Sequence, residues 1–346
     1  MSESPAAQEV TVSPPLLEVQ DLVVEFATAD GVTRAVNGLS YRVEAGRTLA
    51  IVGESGSGKS VSSQAVMGLL QSPPARIPSG SISFRGTDLL TLGRKAHRAY
   101  CGEHIAMVFQ DALAALNPVY PVGFQLTESL RVRRGMSRRD AKRKAIELLD
   151  LVRVPAAAQR VRDYPHQFSG GMRQRVMIAM ALAMDPELLI ADEPTTALDV
   201  TVQAQIMRLL AEIQADRKMG LILITHDLGV VADVADEVTV MYAGRAVESA
   251  DVHDIYARPA HPYTRALLRS IPRLDAKGHE LAVIPGRPPE LLALPAGCSF
   301  APRCEFVRDV CVADPPPPEY EPEPGRMSAC HFAEEVMTDG SLLSER

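Results

Sequence analysis

Tryptophan is absent from the 346 residues, and aromatic residues make up only 5%. Net positive charge is also missing: 36 basic residues face 43 acidic ones, a balance of −7. Bulk charge gives no sign of a nucleic-acid binder. No apolar run approaches the roughly 18 residues that span a bilayer; the longest, Val176–Met184 and Leu221–Thr225, are core-sized. The stretch Met1–Pro15 is polar and has neither the basic nor the apolar region of a signal peptide. It reads as a mobile tail, and the expected location is the cytosol. Cysteine is nearly absent from the first 297 residues, where Cys101 stands alone.

What is present suits a soluble α/β protein of about two domains: hydrophobic residues are 46% and charged residues 23%. Leu16–Phe26 and Ala35–Val43 read as strands on either side of the turn Ala29–Gly31. Thr48–Val52, Ile105–Phe109, Leu188–Ala191, Leu221–Thr225 and Glu237–Tyr242 are short apolar strands. Helical spacing marks Val61–Leu70, Arg138–Arg153, Met172–Met184 and Val202–Ala215. Strands alternating with helices imply an α/β core, with a helical subdomain over about 111–186 inserted into it. The expected division is a tail at 1–15, a core domain at 16–260 and an irregular extension at 261–346. The extension is broken by prolines, six of them in Asp314–Pro324. Arg131–Lys144 carries eight basic residues and one acid; a solvated helix face accounts for it, and contact with anionic headgroups is the alternative.

Two local patterns carry chemistry. Gly53-Glu-Ser55-Gly56-Ser57-Gly58-Lys59-Ser60 fits G-x-x-x-x-G-K-[ST], between a strand and the helix that Val61 continues. Such a loop turns its backbone N–H groups onto phosphate oxygens and backs them with a helix N-terminus. Lys59 would reach the β- and γ-phosphates, and the Ser60 hydroxyl would meet Mg²⁺. Leu188–Ala191 leads into Asp192 and Glu193. A carboxylate there, beside a phosphate loop, holds Mg²⁺; the next one is placed to act as general base on water.

Further residues complete a family pattern. Phe168-Ser169-Gly170-Gly171-Met172, 20 residues before Asp192, resembles the LSGGQ signature of ABC ATPases. Gln110 resembles their Q-loop glutamine, Ala197-Leu-Asp199 their D-loop, His226 their switch histidine and Phe26 their adenine-stacking aromatic. The resemblance spans about residues 16–260, in the family order. It implies a RecA-like P-loop core with an inserted helical subdomain, and ATP hydrolysis supported by Lys59, Gln110, Glu193 and His226. It implies Mg²⁺ at Ser60, Gln110 and Asp192. Nucleotide would contact Phe26, the loop Gly53–Val61, Gln110 and, from the other subunit of a head-to-tail dimer, Ser169, Gly170, Gly171 and Asp199. The signature departs from LSGGQ at Phe168 and Met172, but its phosphate-binding serine and glycines are kept.

Ala260-His-Pro-Tyr-Thr-Arg-Ala-Leu-Leu268 and Gly297-Cys-Ser-Phe-Ala-Pro-Arg-Cys304 resemble the segments that follow this core in the D-type ATPase subunits of oligopeptide, dipeptide and nickel importers. That implies a homologous ATPase partner, two membrane permeases and an extracytoplasmic solute-binding protein, at the cytoplasmic face of the membrane. No nucleic-acid partner is expected. Nickel or another small solute is the alternative cargo, and a soluble ABC ATPase acting on ribosomes or DNA the alternative class. Cys298, Cys304, Cys311 and Cys330 have the spacing C-x5-C-x6-C-x18-C. It lacks the tight knuckle of zinc sites and suits a [4Fe–4S] cluster, with one thiolate per iron. The family resemblance points the same way. Zinc, and reduced or disulfide-bonded cysteines, remain the alternatives.

Overall fold

Alternating apolar and polar residues in the first forty positions build two long strands. β1 (Leu17–Thr28) and β2 (Gly31–Val43) pair antiparallel across a two-residue turn. The computed structural model describes residues 14–196, 198–271 and 283–339, and β3 (Thr48–Val52) follows. β4 (Ala75–Phe84) pairs with β1, and β5 (Thr87–Asp88) with β4, giving the antiparallel order β2-β1-β4-β5. The tail at 1–13 lies outside the described residues.

The main sheet follows a different rule. β3, β6 (Ile105–Val108), β7 (Leu188–Asp192) and β8 (Gly220–Thr225) are apolar almost throughout and buried on both faces, as parallel strands covered by helices must be. With β9 (Glu237–Tyr242) they run parallel in the order β9-β3-β8-β7-β6. Val52 pairs with Thr225, Asp192 with Ile224 and Val108 with Ala191. Their carboxyl ends therefore line up along one sheet edge, where open α/β sheets bind ligands.

Between β6 and β7 lies the helical insertion, with helices Val122–Arg134, Arg138–Leu151 and Gly170–Ala181. The stripe Ala141, Ala145, Leu148 and Leu149 is buried, as its 3.6-residue spacing predicts. It joins a core that also holds Leu189, Ala191, Leu221 and Leu223 of the sheet. The insertion is thus packed onto the parallel sheet rather than hinged apart from it. The basic run lies mostly exposed; Arg134 folds back onto the Met184 carbonyl, and Arg143 pairs with Asp140 at 3.1 Å.

The extension is largely loop and turn, as its prolines require, but its attachment is not local. β10 (Arg245–Asp251) turns back antiparallel on β9, and β12 (Arg326–Ser328) pairs with β10, with β11 (Tyr320–Glu323) outside it. Glu248 in β10 is fully buried and accepts the N–H groups of Ala260 (2.6 Å) and His261 (3.0 Å). Arg326, also buried, donates to the Arg258 carbonyl and approaches Asp254 at 3.5 Å. A cut at residue 260 would divide a continuous sheet.

Burial raises the Glu248 carboxyl to about 7 from its ordinary 4.5, against the pull of Thr264, two backbone N–H groups and Arg326. Its contribution to stability is therefore complete below about pH 4.5 and is lost as pH rises through 7. Buried His261, held down at about 3, acts in the opposite sense between 6.5 and 3. Comparing wild type with Glu248→Gln isolates the carboxyl. In urea melts at pH 5 and pH 8, the variant should gain on wild type as pH rises, by on the order of 3 kcal/mol at most. Parallel pH profiles would show that Glu248 does not titrate in this window.

Candidate nucleotide site

The loop Gly53–Ser60 leaves β3 and feeds the helix Lys59–Val66. Gly58 sits at φ 100°, and a Cβ there would lie 2.3 Å from the Ala35 carbonyl oxygen, so only glycine fits. Lys59 is 4% exposed. Its Nζ donates to the carbonyls of Gly53 (2.7 Å) and Glu54 (2.9 Å) and lies 3.4 Å from Ser57 Oγ. Burial pulls this ammonium below its ordinary range, while Glu193, Asp192 and Glu54 pull it back. Above the loop is a cavity of about 930 Å³, large enough for a nucleoside triphosphate. Gly53, Ser55, Gly56, Gly58, Lys59, Ser60, Val61, Gln110, Glu193 and His226 line it. Ser57 is buried behind the loop.

Asp192 ends β7, is 5% exposed, and accepts a hydrogen bond from Ser60 Oγ at 2.8 Å. Burial raises its carboxyl, Glu193 adds to that, and Ser60 and Lys59 oppose it. A buried carboxylate touching a serine hydroxyl is a donor set of the kind Mg²⁺ takes, and the cation would offset the desolvation. Glu193 follows with φ 44°, a left-handed backbone unusual for this residue. Its N–H is tied to the Ile224 carbonyl at 2.9 Å. Its Oε2 accepts from Gln110 Nε2 (2.8 Å) and Thr196 Oγ1 (3.0 Å), and its Oε1 lies 3.4 Å from His226 Nδ1. Thus residues from the ends of β6, β7 and β8 converge on one carboxylate. Thr196 escaped the sequence reading. Its position three residues after Glu193, on the turn, was the available signal.

The signature lies elsewhere. Ser169 caps the helix Gly170–Ala181 and accepts the Met172 N–H at 3.4 Å. Gly171 packs so closely that a Cβ would lie 2.6 Å from Val202 Cγ1. Asp199 caps the helix Val200–Arg217 and accepts the Val202 N–H at 3.0 Å; Ala197 lies outside the described residues. Phe168 is buried under Arg160, and Met172 packs against the helical core. Both departures from LSGGQ are therefore packing side chains. Ser169, Gly170, Gly171 and Asp199 do not line the cavity, and neither does Phe26, which lies in β1 and packs half-buried against the core.

Cys298, Cys304, Cys311 and Cys330 line one small cavity with His261, Phe300 and His331. Backbone N–H groups point at two of the sulfurs, Phe306 N to Cys304 Sγ (3.3 Å) and Phe332 N to Cys330 Sγ (3.4 Å). Among the described residues, no three His, Cys, Asp or Glu side chains converge at the spacing of a single ion. All four are free thiols. Cys101 is apart from them, buried against the Val66 carbonyl, its thiol pushed up to about 12.

The chain is similar to known proteins over most of its length. Residues 36–196 match the family described as "ABC transporter", and 247–311 match "Oligopeptide/dipeptide transporter, C-terminal region". It is 52% identical over 315 residues to the oligopeptide transport ATP-binding protein OppD of Salmonella typhimurium, covering 91% of this chain and 93% of that one. It is 52% identical over 296 residues to the dipeptide transport ATP-binding protein DppD of Bacillus subtilis, covering 86% and 88%. Among solved structures, cbiO1 of Clostridium perfringens superposes with a TM-score of 0.61 at 28% identity, covering 71% of this chain and 92% of that one. The dimeric ATP-binding cassette MJ0796, at 24% identity, shares the fold with a TM-score of 0.61, over 68% and 98%. With Gln110, Glu193 and His226 lining one cavity with the phosphate loop, and about half of its residues shared with these transport proteins over most of its length, the chain belongs to the ABC transporter ATP-binding family, in its oligopeptide/dipeptide branch.

Proposed function

We propose that this chain is the ATP-hydrolysing subunit of a bacterial importer of di- and oligopeptides. It would pair head-to-tail with a homologous ATPase and sit on two permeases at the cytoplasmic face of the membrane. An extracytoplasmic binding protein would deliver the peptide. The observation that carries the reading is the convergence of Gln110, Thr196 and His226 on Glu193 beside the phosphate loop. The named relatives, oligopeptide and dipeptide transport proteins, support the cargo. No helix among the described residues is long and apolar enough to cross a membrane, so the permeases would supply the path.

The chemistry follows from the side chains. Lys59 would exchange its loop carbonyls for β- and γ-phosphate oxygens, leaving Gly53 and Glu54 to water. Ser60 and Asp192 would hold Mg²⁺, with Gln110 completing the set; the ion would neutralise phosphate charge. Two donors occupy Glu193 Oε2, so Oε1 is the atom to take the proton of the attacking water. Water oxygen bonds to the γ-phosphorus, the bond to the bridging oxygen breaks, and ADP leaves. His226, 3.4 Å from that carboxylate, would steady the water and the γ-phosphate. Ser169–Gly171 and Asp199, which do not line this chain's own cavity, would close over the partner's nucleotide. Phe26 would stack on adenine.

The four thiols would hold a [4Fe–4S] cluster. Support comes from one cavity lined by all four and N–H donors aimed at two of the sulfurs. The cluster would act as a structural staple for a segment with little core of its own.

Two outcomes test these readings. Glu193→Gln should cut ATP turnover at least about 100-fold while leaving Mg·ATP binding within a few-fold; steady-state phosphate release and a binding titration read the two. Normal turnover would remove Glu193 as the base. Anaerobically purified protein should contain about four irons and show broad visible absorbance, both lost in Cys311→Ser. Iron-free, colourless and folded wild-type protein would sink the cluster.

A further inference from the structure

The extension reaches the phosphate loop. Arg303, on the turn Ala301–Arg303, is 249 residues from Glu54, yet its guanidinium grips that carboxylate with two bonds: Nη1 to Oε2 at 2.6 Å and Nη2 to Oε1 at 3.0 Å. Arg303 is 8% exposed. Its Nε donates to the Pro285 carbonyl (2.8 Å), and Nη1 also reaches the Tyr242 hydroxyl (3.2 Å). Packed rings of Tyr242, Tyr263 and Phe300 sit beside it, with centroids 4.6 to 5.3 Å apart.

Glu54 is the second residue of the loop, and every polar group it has is held. Its N–H donates to Tyr263 Oη at 2.8 Å, and its carbonyl accepts from Lys59 Nζ at 2.9 Å. Its carboxylate is held by Arg303. The carbonyl also accepts the Ser57 N–H at 3.3 Å, and two of the four partners, Tyr263 and Arg303, come from beyond residue 260. Glu54 itself lines the nucleotide cavity. A bare carboxylate there would repel a triphosphate, and a loosely held loop would lose entropy on binding. A buried guanidinium fork answers both problems at once.

We propose that Arg303 is a positioning residue for the phosphate-binding loop, setting nucleotide affinity through Glu54 by cancelling its charge and fixing its backbone. Arg303 acts through Glu54 and takes no part in the chemistry. The proposal rests on the nucleotide site and is independent of what the four thiols hold.

The test is a double-mutant cycle in the full chain, titrated with the fluorescent analogue MANT-ATP in excess Mg²⁺. Arg303→Gln leaves the Glu54 charge uncompensated and should raise Kd about tenfold. Adding Glu54→Gln removes that charge and should return Kd to within about threefold of wild type. A merely structural arginine would not be rescued by a second substitution in the loop. Wild-type affinity in Arg303→Gln, or a double variant no better than it, overturns the proposal. Should Arg303→Gln fail to fold by circular dichroism, Arg303→Lys takes its place, keeping the charge and losing the fork. A Kd raised about threefold then supports the proposal, and an unchanged Kd overturns it. A wild-type chain that does not bind the analogue would overturn the nucleotide site itself, and the clamp with it.

Discussion

The parallel, in-register pairing of β3, β8, β7 and β6 is the constraint on which the site depends. Val52, Thr225, Asp192 and Val108 end neighbouring strands, so the residues just beyond them share one edge. Gly53–Ser60, Gln110, Glu193 and His226 are separated by tens of residues in sequence and meet only there. A slip of one residue in β7 would turn Asp192 away from Ser60. Burial of both sheet faces makes such a slip costly, since it would exchange covered side chains between two packed layers.

The same edge concentrates charge out of water. Lys59 is buried with Asp192 close by, and Glu193 and Glu54 act on it from the cavity wall. The ammonium is bonded to loop carbonyls and Asp192 to a serine hydroxyl, so each of these buried groups has a hydrogen-bond partner within the site.

The extension belongs to this arrangement and is more than an appendix. β12 lengthens the main sheet through β10, Glu248 binds the chain where it enters the extension, and Tyr263 and Arg303 touch the loop itself. The four free thiols line a cavity that also takes in Ala301, on the turn that carries Arg303. The segment that distinguishes this branch is therefore bonded to the element common to the whole family. The signature, by contrast, lies outside the cavity: its serine caps a helix and its glycine packs against the helix that Asp199 starts.

The sequence by itself determined the local elements and the identity of the chemistry. Thr48–Val52 and Glu237–Tyr242 are strands over the residues their apolar runs mark, and Ala141 to Leu149 is a buried stripe because its spacing matches the helix. The phosphate loop was legible because glycine, lysine and serine at fixed offsets are a local code, read by backbone geometry within eight residues. Tertiary structure alone decided what crosses long separations. Thr196 joins Glu193 only through a turn whose shape the letters do not print. Arg303 meets Glu54, and β12 meets β10, across gaps that no periodicity spans. A proline-rich segment reads as irregular because its pattern has no period, yet its partners lie on the far side of the fold. Hydrogen bonds and ion pairs between distant residues leave no periodic trace, so only the folded chain reveals them.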